Sequence, residues 1–279
     1  MTSADTGAIS ANLAAISSRI QRACEKYAKA NGLDSHSAEL IAVTKYRDFN
    51  DILALHRLGV RAFGENKVQD LKAKMAQVNA VLGAGAASLD SRDFTDFTDS
   101  SARQTKSDSG APHTKDTFGT SNTSRAAGAP IEWHFIGSLQ RNKINALLAL
   151  NPTLIHSIDS RELAAALNER CTRLGRIQRV LLQVNAANEA SKHGFSLDSA
   201  RDAFLQIRES APFLELCGIM SIGANSDDMG LVEESFALTK ALYDSLPNVS
   251  VLSMGMSGDF ELAIKHGANM VRIGSALFE

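Results

Sequence analysis

The sequence has no long apolar run, no paired cysteines and no surplus of one charge, and each lack narrows what the chain can do. No stretch approaches the roughly 20 consecutive apolar residues of a membrane-spanning helix. The opening MTSADTGAIS has neither the basic start nor the apolar core of a secretory signal. These two absences predict a cytoplasmic protein without a membrane partner. Cys24, Cys171 and Cys217 lie far apart and form no CxxC pair, which argues against both a disulfide framework and a zinc site. Lys and Arg total 29 against 31 Asp and Glu, a net charge of −2, so no basic field gathers nucleic acid or anionic lipid. No GxGxxG follows a candidate strand, which weakens a dinucleotide-binding fold.

What is present is a repeating alternation. From Ile9 to Lys29, Leu13, Ile16, Ile20 and Ala23 recur at helical spacing among charged residues, predicting an opening amphipathic helix. After Asn31-Gly32 comes Leu40-Ile41-Ala42-Val43-Thr44, apolar and β-branched as a strand buried on both faces should be. It ends at Lys45. Further strands are predicted at Arg61–Asn66, Trp133–Gly137, Leu154–Asp159, Arg179–Asn185, Leu216–Gly223, Ser250–Ser257 and Met270–Leu277. Helical patterns separate many of them, among them Asp51–Leu58, Arg161–Leu174, Leu197–Glu209 and Leu231–Leu246. Eight strands alternating with helices in a chain of 279 residues predict an α/β fold, a single (β/α)8 TIM-like barrel domain over 1–279.

Residues 84–130 interrupt the rhythm. They are dominated by Ser, Thr, Asp, Gly and Ala and carry too little apolar surface to offset the entropy of ordering. A long, disordered polar insertion between strands 2 and 3 is the expectation, hanging from one rim without dividing the core.

Barrels of this kind place their chemistry at the C-terminal ends of the strands. Lys45 occupies that position on the first strand. It sits either at a solvated exit or in a pocket of low polarity, where a lysine becomes a Schiff-base former. At the last two strands, Ser253-Met254-Gly255-Met256-Ser257-Gly258-Asp259 and Arg272-Ile273-Gly274-Ser275-Ala276 combine glycines with hydroxyls. Such loops expose backbone N–H groups suited to phosphate, and a helix starting near Phe260 would add its dipole; tight βα turns are the plainer account. Arg272 shares a strand face with Gly274, and a guanidinium inside a barrel needs an acceptor. Asp159 or Glu65 would serve; so would the ring nitrogen of a cofactor.

Several longer segments are distinctive together: AVTKY (Ala42–Tyr46), FGENKVQD (Phe63–Asp70), WHFIGSLQRNK (Trp133–Lys143), HSIDS (His156–Ser160), GIMSIG (Gly218–Gly223), LSMGMSGDFELAIKHG (Leu252–Gly267) and VRIGSALF (Val271–Phe278). In this order they resemble the pyridoxal phosphate homeostasis family and, more distantly, the N-terminal barrel of alanine racemases. The resemblance implies that pyridoxal 5′-phosphate is held as a Schiff base on Lys45. It implies Asn66 beside the cofactor, Ser257 with Gly274 and Ser275 as the phosphate cradle, and Arg272 facing the pyridine nitrogen. His134 and Met220 are implied as further pocket residues, while Trp133 and Phe135 read as core.

An arginine can only donate, so it cannot leave a proton on the ring nitrogen, and the ring stays a weak electron sink. That suits holding and exchanging an aldehyde better than stabilising a carbanion. The resemblance therefore implies a role in intracellular vitamin B6 homeostasis, storing the cofactor and delivering it to apo-enzymes, with the chain a monomer. The alternative is a pyridoxal phosphate-dependent racemase with Lys45 as base. Racemases of this type supply an opposing tyrosine from a second domain, whereas here the tyrosines are Tyr27, Tyr46 and Tyr243, and Tyr46 would point away from Lys45 in a regular strand. A third reading, a barrel aldolase using Lys45 directly on a sugar phosphate, needs no cofactor.

Overall fold

In the computed structural model, which describes residues 6–82, 130–187, 189 and 192–279, eight parallel strands close into a barrel. They are β1 (Glu39–Val43), β2 (Ala62–Glu65), β3 (Glu132–Phe135), β4 (Leu154–Ile158), β5 (Gln178–Asn185), β7 (Leu214–Ser221), β8 (Val251–Ser253) and β9 (Met270–Ile273). Neighbours run β4-β3-β2-β1-β9-β8-β7-β5, and pairing of β4 with β5 closes the ring. A two-residue strand, β6 (Phe195–Ser196), adds to β5 outside the ring. The single TIM-like barrel read from the alternation is the observed fold. The 84–130 segment lies outside the described residues except for Pro130.

Each strand serves two cores, which explains its apolar runs. Leu40 and Ala42 of β1 join the large cluster between sheet and helices, whereas Ile41 joins a second cluster with Ala62, Leu154, Leu181, Cys217, Met220, Val251 and Met270. Period-two alternation assigns that second cluster to the lumen. All three cysteines are free and buried.

The helices are α1 (Thr6–Asn31), α2 (Phe49–Arg57), α3 (Val68–Leu82), α4 (Ile144–Leu148), α5 (Arg161–Arg173), α6 (Leu197–Ser210), α7 (Met229–Asp244), α8 (Phe260–Lys265) and α9 (Ser275–Phe278). Helix α1 buries Ile9, Ile16, Ile20, Cys24 and Ala28 and packs against α8, α9 and α2. Its Arg19 pairs with Glu261 at 2.6 Å and lies over the Phe260 ring at 4.7 Å. An N-terminal helix thus fills the outer-ring place that a helix after the last strand usually takes.

Two strand ends differ from the sequence expectation. The strand expected over Ser250–Ser257 is regular only over Val251–Ser253; its hydrogen bonds to β9 run on through the Met254 amide and the Gly255 carbonyl and end where Gly255 turns to φ +93°, a conformation costly for any side chain. The strand expected through Leu277 stops at Ile273; Gly274 breaks the extended backbone and residues 275–278 form one helical turn.

Candidate functional site at the C-terminal mouth

Successive inward positions build the site in storeys. Two residues beyond the apolar floor, Leu154 gives way to His156, Val251 to Ser253 and Met270 to Arg272, all buried. Two further along, β9 reaches Gly274, while the inward series Ile41-Val43 of β1 reaches Lys45 and Ala62-Gly64 of β2 reaches Asn66. The mouth is therefore where polar groups become accessible.

Arg272 is fully enclosed. Nη1 donates to Ser253 Oγ at 2.7 Å and Nη2 to the Ser221 carbonyl at 2.8 Å. Burial pulls its pKa down to about 10, with Asp259 acting in the opposite direction, so it stays charged near neutrality. Neither Asp159 nor Glu65 is its partner, contrary to the plainer expectation. Glu65 follows inward-facing Gly64 and so faces outward to Thr44 and Lys74, and Asp159 lies 3.9 Å from His193. Asp259 itself is held above the usual carboxylate range by burial, partly offset by the Met256 amide that it accepts.

The arginine also sets the direction of a buried chain. Ser253 Oγ accepts from Arg272, which can only donate, so its hydroxyl is free to donate to His156 Nδ1 at 3.3 Å. That leaves the proton of neutral His156 on Nε2, which donates to His134 Nδ1 at 3.0 Å. Burial, and then the charges of His134 and Arg272, push the His156 pKa well below the usual imidazole value. His156, Ser253 and Ser221 were not singled out from sequence as site residues. The one signal was a histidine in the inward position of a strand that reads as core.

At the rim, Lys45 is exposed and lines a cavity of about 410 Å³ with Val43, Gly274 and Ser275. Of the two readings open for Lys45, the solvated exit is the one observed. Tyr46 does not follow the strand alternation expected of it: it sits in a turn at φ +66° and lines the same cavity. Ser257 Oγ lies 3.3 Å from the Gly274 amide and 3.4 Å from the Ala276 amide, so two N–H groups converge on one hydroxyl beside Ser275. At the start of α8 the amides of Asp259 and Phe260 bond the Met256 carbonyl.

Asn66 stands at the end of β2 with Oδ1 buried and without a partner among the described residues. The β3 end comes so close that a Cβ on Gly137 would meet the Asn66 carbonyl oxygen at 2.0 Å; only glycine allows it. Lys45, Ser257, Gly274 and Ser275 are thus brought together, with Asn66 at a neighbouring strand end. Arg272 and His134 lie one storey lower, joined through Ser253 and His156. Met220 is a packing residue of the lumen core. Trp133 and Phe135 are core, as expected. Among the described residues no cluster of three metal-ligating side chains occurs, and no helix is long and apolar enough to cross a membrane.

The residues present fit pyridoxal 5′-phosphate: a lysine at the mouth, a paired amide and hydroxyl cradle of phosphate type, a donor-only arginine below and a cavity of small-ligand size. Comparison with known proteins agrees with this architecture. The chain is 40% identical over 265 residues to the pyridoxal phosphate homeostasis protein of Helicobacter pylori (strain ATCC 700392 / 26695), covering 95% of this chain and 96% of that protein. A protein from Bifidobacterium adolescentis superposes with a TM-score of 0.74 at 28% identity, over 98% of this chain and 95% of the other. PipY of Synechococcus elongatus PCC7942, solved with PLP bound, has the same fold, with a TM-score of 0.68 at 24% identity over 97% of this chain and 100% of its own. The family described as alanine racemase, N-terminal domain, matches residues 4–279. The chain belongs to that family, alongside the pyridoxal phosphate homeostasis proteins that it matches along nearly its whole length.

Proposed function

We propose that this chain binds pyridoxal 5′-phosphate covalently through Lys45 Nζ and serves intracellular cofactor homeostasis, holding the aldehyde and passing it on. The observation that carries this is the cavity that Lys45 shares with Gly274 and Ser275, next to which the Gly274 and Ala276 amides converge on the Ser257 hydroxyl. When bound, the cofactor supplies a reactive aldehyde on a pyridine ring.

The chain's own residues account for the rest. The amides of Gly274 and Ala276, with the Ser257 and Ser275 hydroxyls, hold the phosphate dianion. Arg272, pinned by Ser253 and Ser221 below the mouth, has donors only and so would leave a ring nitrogen that faced it unprotonated. Asn66 Oδ1, buried without a partner among the described residues, would accept from a donor on a bound ligand. Lys45 at an exposed rim suits reversible exchange with an incoming amine better than a closed catalytic chamber does. In this reading the chain works as a cytoplasmic monomer, and its partners are the cofactor and the apo-enzymes that receive it.

The test is a visible absorption spectrum of purified protein with added pyridoxal 5′-phosphate, followed by borohydride reduction and peptide mapping. A yellow band with the label on Lys45 is expected. Label scattered over surface lysines would overturn the assignment and favour the cofactor-free aldolase. The racemase alternative predicts α-proton exchange with common amino acids, which a carrier lacks.

A further inference from the structure

The turn that presents Lys45 is held from behind by a buried ion pair that the site does not otherwise use. Thr44, Lys45, Tyr46 and Arg47 form a four-residue turn closed by the Arg47 amide on the Thr44 carbonyl at 2.9 Å. Tyr46 in its third place has φ +66°, and Lys45 in its second is not among the positive-φ residues, which is the pattern of a type II turn. That third place favours glycine, so a tyrosine there is strained and needs external support.

The support comes from the outward side of the wall. Thr44 Oγ1 donates to Glu65 Oε1 at 2.5 Å, and Lys74 Nζ reaches the same oxygen at 2.6 Å. Lys74 Nζ also donates to the Thr44 carbonyl at 2.7 Å, so that carbonyl accepts from both Lys74 and the turn-closing amide. The Glu65 side chain is fully buried and that of Lys74 is 10% exposed. A buried ion pair is a poor route to stability, since apolar groups of the same volume often do as well. What it does supply is a fixed position for one residue, Thr44, whose neighbour is Lys45.

We propose that Glu65, Lys74 and Thr44 are positioning residues that clamp the Thr44–Arg47 turn, so that Lys45 faces the Gly274 and Ser275 cradle before any ligand arrives. The inference rests on Lys45 being the cofactor lysine. Preorganisation of this kind shortens the search that a flexible lysine would otherwise make.

The double variant Lys74→Met with Glu65→Gln removes both charges at similar volume. Hydrogen exchange at the Arg47 amide, measured without cofactor, should accelerate by about tenfold or more. Labelling of Lys45 by pyridoxal 5′-phosphate and borohydride should slow in parallel. Adding Tyr46→Gly, which takes a positive φ without strain, should return both towards wild type. Loss of stability alone would not be rescued by glycine at one turn position. A folded double variant with wild-type exchange at Arg47 overturns the clamp. Should the double variant fail to fold, Thr44→Val, which deletes one hydroxyl, gives the same two readouts with the same signs. Absence of label on wild-type Lys45 would sink the cofactor assignment, while Arg47 exchange would still decide the clamp.

Discussion

Two storeys of the same lumen, two residues apart along each strand, follow opposite rules. The floor is apolar, contributed by residues such as Ala62, Leu154, Val251 and Met270. The storey above, with His156, Ser253 and Arg272, is as fully buried but polar, and it is satisfied by a directed chain of hydrogen bonds. The floor has only to be filled. The upper storey has to be satisfied, which takes particular partners, and its cost makes sense only where something above it needs oriented donors. Closing the barrel thus separates stability from chemistry by about one inward position per strand.

That division can be broken residue by residue. The largest effect expected is on the mouth alone: Lys45→Ala should abolish the borohydride-fixed label. Lys45 is exposed, so unfolding free energy should change by no more than about 0.5 kcal/mol. Peptide mapping and urea titration check the two halves. Leu154→Ala is the converse, expected to cost about 2–5 kcal/mol of stability by leaving a cavity in the floor, with the label still on Lys45.

Arg272→Ala crosses the boundary. It leaves Ser253 and the Ser221 carbonyl without their donor and should lower both cofactor retention, by about tenfold, and stability, by about 1–3 kcal/mol. An unchanged dissociation rate would remove Arg272 from the site. Ser257→Ala should be milder, weakening phosphate-dependent binding by about tenfold or less while costing about 0.5–1.5 kcal/mol or less in the unfolding titration.

The smallest effect is a slope with pH. Burial and the neighbouring charges of His134 and Arg272 keep His156 neutral in the folded state, whereas the unfolded chain takes up a proton near pH 6.5. Lowering the pH below that value therefore favours unfolding, by at most about 1.4 kcal/mol per pH unit for this one group. No such loss arises from it above about pH 7. Urea midpoints across pH 5 to 7.5 in wild type and His156→Asn would measure it; identical slopes would show that the polar storey does not resist protonation as its geometry requires.

Much of the mouth was legible because strand ends advertise themselves. A lysine after an apolar run, and glycines with hydroxyls after the last two strands, are local signals. The polar storey was not legible, since Ser253 and His156 are 97 positions apart and look like ordinary members of buried strands. Nor was the clamp. Val68, Leu71, Lys74 and Val78 share the buried face of α3, and a lysine among apolar neighbours there was the available clue. Its partner Thr44 lies 30 residues earlier.

The sequence by itself determined the alternation of strand and helix and the position of Lys45 at a strand end. These follow from chain-local sterics and periodicity, which need no distant partner. Only the tertiary structure decided that Arg272 rests on two serines and no carboxylate, that Ser257 meets the amides of Gly274 and Ala276, and that α1 completes the outer ring. The physical reason is closure: bringing β4 against β5 fixes the circumference and stagger of the whole ring, and those set which inward residues meet across the lumen.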